Sequence, residues 1–296
     1  MKKVVIVLGP TAVGKTKMGI MLAKKLQTEI ISGDSVQVYR GLNIGSAKVK
    51  ESEMDGIKHH LIDILEPTES YSVATFQKDA RKLMDKMEVP LIVGGTGLYI
   101  KAALANYEFS PKERDDKFAD NLSDVSNEIL YERLLALDPL SCKTIHPNNR
   151  KRVLRALEMA SENAKKSDFN HKDEMLYDAY IIYLNAPRNI LYERINKRVD
   201  LMFEEGLEAE VRALYEKGIY PHAIGYQEFI PYFQNEVTLE SVKEEIKKNS
   251  RHLAKRQMTW FKNQMQTHFY EVNFDNFMET FNSVYRDVCH FLEVEE

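Results

Sequence analysis

The chain has 296 residues, 44% hydrophobic and 29% charged, enough for one large α/β domain and a smaller lobe. A formal charge of −4 and a pI near 6.1 exclude a protein that is basic throughout, so any nucleic-acid partner must be met by local basic patches. Cys142 and Cys289 lie far apart, with no C-x-x-C and no clustered His ligands, so neither a disulfide framework nor a zinc site is expected; no apolar run approaches the ~18 residues of a membrane span, and a soluble, cytoplasmic protein with no membrane partner is expected.

The apolar run Val4-Val5-Ile6-Val7-Leu8 leads into Gly9-Pro10-Thr11-Ala12-Val13-Gly14-Lys15-Thr16, and an amphipathic segment carrying Met18, Met21, Leu22 and Leu26 follows. Strand, glycine loop and helix start then carry the spacing G-x-x-x-x-G-K-T. Glycines let successive backbone N–H groups turn into one hollow, and the helix N-terminus adds positive potential. Lys15 brings a full charge to phosphate oxygens, and the Thr16 hydroxyl is placed to hold Mg²⁺. A di- or triphosphate ligand is expected.

Glu29-Ile30-Ile31-Ser32 reads as a short buried strand ending at Gly33-Asp34-Ser35, and residues 36–50 read mostly as loop. His59 to Ile64 predicts another strand, stopped by Pro67. Ser72 starts a helix reaching about Met87, with Val73, Phe76, Ala80, Leu83 and Met87 on one face. Leu91-Ile92-Val93 is the next buried strand and ends at Gly94-Gly95-Thr96-Gly97. Alternating short strands and amphipathic helices predict a P-loop NTPase-like α/β fold, a parallel sheet flanked by helices.

The pattern changes near Ser110-Pro111. From there to about Met175 no buried strand is visible, only helices from Ser126 to Leu137, stopped by Asp138-Pro139, and from Asn149 to about Ser161. A helical insertion over 110–176 is expected, dividing the core into 1–109 and 177–296. Strand returns at Tyr180-Ile181-Ile182-Tyr183-Leu184, and Pro187 opens a helix to Glu205, closed by Gly206. More helix runs to Lys217-Gly218, then from Leu239 to Lys262. The tail from Asn276 to Leu292 is a packing helix with Phe277, Phe281, Val288 and Leu292 at helical spacing.

Ligands of open parallel sheets sit beyond the carboxyl ends of the strands, where the phosphate loop, Asp34 and Thr96 all fall. A carboxylate beside a phosphate loop holds Mg²⁺ or takes a proton from a nucleophile. The plainer alternatives are a turn aspartate bonding its own backbone and a helix-capping threonine. On one helix Lys151, Arg152 and Arg155 share a face. On another Lys247, Lys248, Arg251, His252, Lys255 and Arg256 form a second, with Leu253, Gln257, Trp260 and Phe261 turned elsewhere. One basic face is ordinarily solvated surface; two on an acidic protein point to a phosphate backbone. His59-His60 read as structural histidines. The strand at 91–93 ends in glycines, not in the aspartate that supports Mg²⁺ in phosphate-loop ATPases. A diphosphate that leaves, with no terminal phosphoryl transferred, is therefore expected; the alternative is that Asp34 or Asp63 supplies the missing carboxylate.

Together these segments resemble the tRNA dimethylallyltransferase family from Gly9 to Lys262. The matching strings are the phosphate loop, Ser32 to Tyr39, Asn43 to Lys48, His59 to Asp63 and Val93 to Tyr99. Ile145 to Asn149, Arg152 to Glu158, Ile224 to Tyr226, and Ala254 to Gln257 with Trp260 complete the series. The resemblance implies transfer of a dimethylallyl group from dimethylallyl diphosphate to N6 of adenosine-37 in the tRNA anticodon stem-loop, by a monomer. It implies a general base at Asp34, reacting-group contacts from Thr96, and a pyrophosphate clamp of Lys15 and Arg198. Gly9, Pro10, Thr11, Ala12, Val13, Gly14, Lys15 and Thr16 would cradle the diphosphate, with Thr16 on Mg²⁺. Asp34, Ser35, Val36, Gln37, Lys151, Arg152 and Arg155 would contact tRNA. So would His222, Gly225, Tyr226, Gln227, Lys255, Arg256 and Gln257.

Three departures from the family pattern are visible. The insertion is short around Lys112 to Ser123, Ala164-Lys165 stands where the family has Gly-Lys, and the zinc-finger extension of eukaryotic members is missing, which fits a bacterial form. The alternatives are a transferase acting on free adenine nucleotides, a phosphate-loop small-molecule kinase, and a non-catalytic RNA-binding module.

Overall fold

The N-terminal apolar run becomes β1 (Lys3–Leu8), whose Val4 to Leu8 are fully buried. A strand with no polar face needs cover on both sides, which a parallel sheet between helices supplies. The computed structural model describes residues 1–109, 116–162, 165–168 and 171–295 and divides into two units, Met1–Leu104 with Leu176–Glu296, and Ala105–Met175. The break at Ser110-Pro111, Lys112 and Ala164 lie outside the described residues.

In the larger unit β1 is followed by α1 (Lys15–Lys25), β2 (Ile30–Gly33), α2 (Glu51–Met54), β3 (His59–His60), α3 (Val73–Lys86), β4 (Leu91–Gly94) and α4 (Gly97–Leu104). The smaller unit carries β5 (Ala105–Tyr107), α5 (Asp116–Asp120), α6 (Asn127–Leu137), α7 (Pro139–Cys142), α8 (Arg150–Ser161) and β6 (His171–Met175). The chain then returns through β7 (Asp178–Asn185), α9 (Arg188–Glu204), α10 (Leu207–Tyr215), α11 (Ile230–Phe233), α12 (Leu239–Gln264), β8 (His268–Glu271) and α13 (Phe277–Leu292).

Six strands pair in the order β3-β2-β4-β1-β7-β8, every neighbouring pair parallel. Val5 and Val7 of β1 and Ile182 and Leu184 of β7 pack with Met18 and Leu22 of α1 and Phe281, Val284 and Val288 of α13. The tail is thus the packing helix its spacing predicts. Ser72 caps α3 by accepting the Thr75 N–H at 3.1 Å, and Gly206, at φ +96, ends α9 in the left-handed region.

The predicted strand from His59 to Ile64 is cut to two residues. Leu61 and Asp63 adopt φ of +61 and +53, a left-handed backbone that cannot continue a ladder. Edge strand β8 carries no apolar alternation, because three of its four residues are exposed, and the sequence does not signal it. In the smaller unit α6 and α8 bury Leu130, Leu134, Val153, Ala156 and Leu157 against one another, and β5 pairs antiparallel with the polar β6. Arg150 braces this unit from inside, donating to the carbonyls of Leu122, Ser123 and Val125. Among the described residues no helix is long and apolar enough to cross a membrane, and both cysteines are free.

Candidate functional site

Gly9 leaves β1 beside the end of β7, where a Cβ would meet the Leu184 carbonyl oxygen at 2.5 Å; only glycine passes. Ala12 at φ +66 and Gly14 at φ +102 then turn the chain into α1. Lys15 Nζ folds back onto the Pro10 carbonyl at 2.9 Å. Desolvation, aided by the positive charge of Arg198 and opposed by Asp34, lowers the Lys15 pKa from 10.5 to about 8. Arg194 of α9 braces the left-handed Ala12, donating Nε–H to its carbonyl at 3.0 Å while its guanidinium lies 3.9 Å over the Phe274 ring. Sequence reasoning misses Arg194; its only signal is the i, i+4 spacing that puts it on one helical face with Arg198.

The loop forms one wall of a cleft of about 410 Å³. Lys15 and Thr16 enter it from the start of α1, Asp34 to Gln37 from the end of β2, Thr96 from the end of β4 and Arg198 from α9. All four residues expected to do the chemistry therefore meet in one cavity. The apolar part of the lining comes from Ile195, Val199 and Met202 of α9, Ile224, and Ile246 and Leu253 of α12.

Asp34 does form the turn that its plainer reading describes. Its Oδ1 accepts the Val36 N–H at 2.8 Å and the Gln37 N–H at 3.3 Å, while the residue lines the cleft. Thr96 ties this turn to β4: Oγ1 accepts the Ser35 N–H at 3.2 Å and reaches Ser35 Oγ at 3.4 Å. Glycines let the two strand ends approach, since a Cβ on Gly94 would lie 2.4 Å from the Gly33 carbonyl oxygen. Arg198 donates from Nη2 to the Ala47 carbonyl at 3.3 Å; burial lowers its pKa, with the Asp34 charge acting in the opposite sense. Two cations facing one carboxylate leave the cleft with an excess of positive charge, which suits an anion.

Among the described residues no three His, Cys, Asp or Glu side chains converge as a metal site. The cleft offers the Thr16 hydroxyl and the Asp34 carboxylate. That sparse set of hard oxygens fits Mg²⁺, which takes one or two protein ligands and fills its shell with water and substrate phosphates. Asp63, the alternative carboxylate, does not line the cleft and is paired at 2.5 Å with the buried Lys48. His59 and His60 are both partnered, by the Ile57 carbonyl at 2.9 Å and Glu29 at 2.5 Å.

The residues expected at RNA fall into two groups. Lys151, Arg152, His222, Gln227, Lys255 and Arg256 are exposed, and Arg155 is ion-paired with Glu158 at 2.8 Å. Gly225 and Tyr226 correct the expectation. Tyr226 is 1% exposed within an aromatic and aliphatic cluster, and the Gly225 N–H is spent on Glu228 at 2.9 Å, so neither offers a surface to RNA. The basic stripe of α12 is also narrower than its sequence: Lys247 pairs with Asp200 and Glu244, Lys248 with Glu245, and Arg251 donates to Asn196. Gln257 lies in the cleft itself, its Oε1 accepting the Thr11 N–H at 3.1 Å and its Nε2 donating to the Gly95 carbonyl at 3.0 Å.

A family model described as IPP transferase matches residues 37–264. A protein of Anoxybacillus flavithermus named tRNA dimethylallyltransferase is 46% identical, over 99% of this chain and 96% of its own length. One of the same name from Bacillus subtilis is 46% identical over 91% and 90%. The crystal structure of a tRNA isopentenylpyrophosphate transferase from Staphylococcus epidermidis superposes with a TM-score of 0.72 at 40% identity, covering 97% of this chain and 99% of the other. A eukaryotic dimethylallyltransferase acting on tRNA superposes at 0.84 with 26% identity, covering all of this chain and 81% of the other.

Proposed function

The chain belongs to the IPP transferase family, and we propose that it transfers the dimethylallyl group of dimethylallyl diphosphate to N6 of adenosine-37 in the tRNA anticodon loop, releasing pyrophosphate. The carrying observation is the single cleft that joins a phosphate loop, two cations and one carboxylate to an apolar lining. A diphosphate with a five-carbon tail has the same two halves. The protein is taken to act as a monomer in the cytoplasm.

The exocyclic amine of adenine is a weak nucleophile, since its lone pair is delocalised into the ring, so orientation against the allylic carbon supplies much of the rate. A stacked base cannot reach a cleft of this kind, and flipping it out costs a few kcal/mol. Exposed Lys151 and Arg152, and exposed Lys255 and Arg256, would offset that cost through tRNA phosphates. As the new C–N bond forms, the C–O bond to diphosphate breaks and Asp34 takes the N6 proton. Lys15, Arg198 and the loop N–H groups stabilise the negative charge growing on the leaving group. Thr16 would hold Mg²⁺, whose charge adds to that stabilisation.

Incubation with labelled dimethylallyl diphosphate, magnesium and an unmodified tRNA transcript tests this. The expected result is one five-carbon unit added at adenosine-37. Label on free adenine nucleotides instead, or ATP consumption without prenyl transfer, would replace the proposal with one of its alternatives.

A further inference from the structure

The loop that meets Arg198 is itself suspended from one carboxylate. Glu210 of α10 accepts three consecutive backbone N–H groups, from Asn43 at 3.1 Å, Ile44 at 2.8 Å and Gly45 at 3.1 Å. Successive amides aimed at one point make an anion nest, and here a side chain from a distant helix fills it. Tyr226 completes the arrangement by donating its hydroxyl to Glu210 at 2.8 Å. Burial and the Glu210 charge raise the Tyr226 pKa, so its phenol remains a donor. The ring also lies against Gly45, where a Cβ would come within 2.6 Å of it.

The other end of the same loop faces the cleft. Its Ala47 carbonyl accepts from Arg198 Nη2 and from Gln37 Nε2, each at 3.3 Å, and the Ser46 carbonyl accepts from Gln37 at 3.3 Å. The Gln37 N–H is in turn held by Asp34 Oδ1 at 3.3 Å. The loop thus hangs from Glu210 at one end and at the other meets Arg198 directly and Asp34 through Gln37. A carbonyl can orient a guanidinium only if its own peptide is held: the N–H of that peptide, from Lys48, donates to the Asn43 carbonyl at 2.9 Å and the Ala47 N–H donates to the Ile44 carbonyl at 2.9 Å, and Asn43 and Ile44 in turn hang from Glu210.

We propose that Glu210, with Tyr226, is a positioning residue for the transfer: it fixes the 43–47 loop so that Ala47 aims Arg198 at the departing pyrophosphate. This rests on the prenyl-transfer function proposed above. Glu210 does not line the cleft, so its effect passes through the 43–47 loop, and a cycle with Arg198 separates the Arg198 route from the one through Gln37.

The test is a double-mutant cycle on the full chain, comparing wild type, Glu210→Gln, Arg198→Ala and the double variant. It reads kcat, KM for the donor, pyrophosphate affinity by calorimetry, tRNA affinity and Tm. Glu210→Gln should lower kcat/KM for the donor and pyrophosphate affinity at least tenfold while tRNA affinity stays within twofold. In the Arg198→Ala background the same change should add little, because coupled residues are not additive. Tyr226→Phe, which removes one donor and no charge, should give a smaller loss in the same two quantities if Glu210→Gln fails to fold. Glu208→Gln, an exchange two residues away on the same helix, where the carboxylate bonds Arg212 and Tyr232 and not the 43–47 loop, should behave as wild type. Additive losses, or losses in turnover that merely follow Tm and tRNA affinity, would overturn the proposal. An inert wild type would overturn the function and this inference together, whereas an active wild type with an indifferent Glu210→Gln overturns the inference alone.

Discussion

Gln257 and Thr11 meet across 246 residues of sequence, the side-chain oxygen of one accepting the backbone N–H of the other at 3.1 Å. That N–H belongs to the phosphate loop, and a diphosphate bound there as proposed would compete with Gln257 for it. Gln257→Glu should lower pyrophosphate affinity at least tenfold by setting a carboxylate against the loop, a difference of about 1.4 kcal/mol or more. Gln257→Ala should bind pyrophosphate at least as tightly as wild type, because the competing acceptor is gone. Calorimetric titration of both variants decides this; equal affinities would remove Gln257 from the loop's chemistry.

Asp34 holds a turn and, in the proposed transfer, is also the base; one substitution can separate the two. Asparagine keeps the Oδ1 that accepts the Val36 and Gln37 N–H groups but cannot act as the base. Asp34→Asn should hold tRNA affinity and Tm near wild type and lose ~10²-fold or more in turnover. Asp34→Ala should lose turnover and thermal stability together. Retained turnover in Asp34→Asn would leave the carboxylate with the turn alone.

Lys15 has its pKa lowered from 10.5 to about 8, so in the free protein it loses its proton while the unfolded chain still holds one. Between those two values the unfolded state binds more protons, and stability of the ligand-free protein should rise with pH. Pyrophosphate favours the charged lysine, so its binding should take up a proton near pH 8 and weaken by up to about tenfold per unit above it. Calorimetry in buffers of different ionisation enthalpy measures the uptake. Lys15→Met should abolish it; uptake that persists would assign the proton to another group.

On α12 the ion pairs of Lys247 set the occupied part of the basic stripe apart from exposed Lys255 and Arg256, which pair with no carboxylate among the described residues. Lys255→Ala and Arg256→Ala should each weaken tRNA binding and reduce the slope of log affinity against log salt by roughly one. Lys247→Ala should leave both almost unchanged. Filter binding between 50 and 200 mM salt distinguishes them, and an equal response from all three would reject the division.

Much of this molecule is legible along the chain wherever one segment satisfies itself locally. The buried run to Leu8, the glycines that follow and Lys15 specify strand, loop and helix through backbone sterics and apolar periodicity alone. The caps of α3 and the end of α9 at Gly206 are local in the same way. Asp34 and Thr96 fall at one edge because parallel strands place their carboxyl ends together. Less is legible where a residue's partner is distant. Leu61 and Asp63 leave the extended backbone against their apolar run, and β8 pairs with β7 through main-chain bonds that its exposed side chains do not advertise. Tyr226, in a string that resembles an RNA contact, is buried because Gly45 leaves room for its ring.

By itself the amino-acid sequence determined the parallel-sheet core, the phosphate loop and the family, since propensity, periodicity and motif spacing act over a few residues. Tertiary structure decided which side chains are free and which are spent: Gln257 on the loop, Lys247 on Asp200, Glu210 beneath the strand-free 43–47 segment. The reason is that a hydrogen bond or ion pair depends on separation in space to within an ångström, and folding sets that separation for residues that the chain keeps far apart.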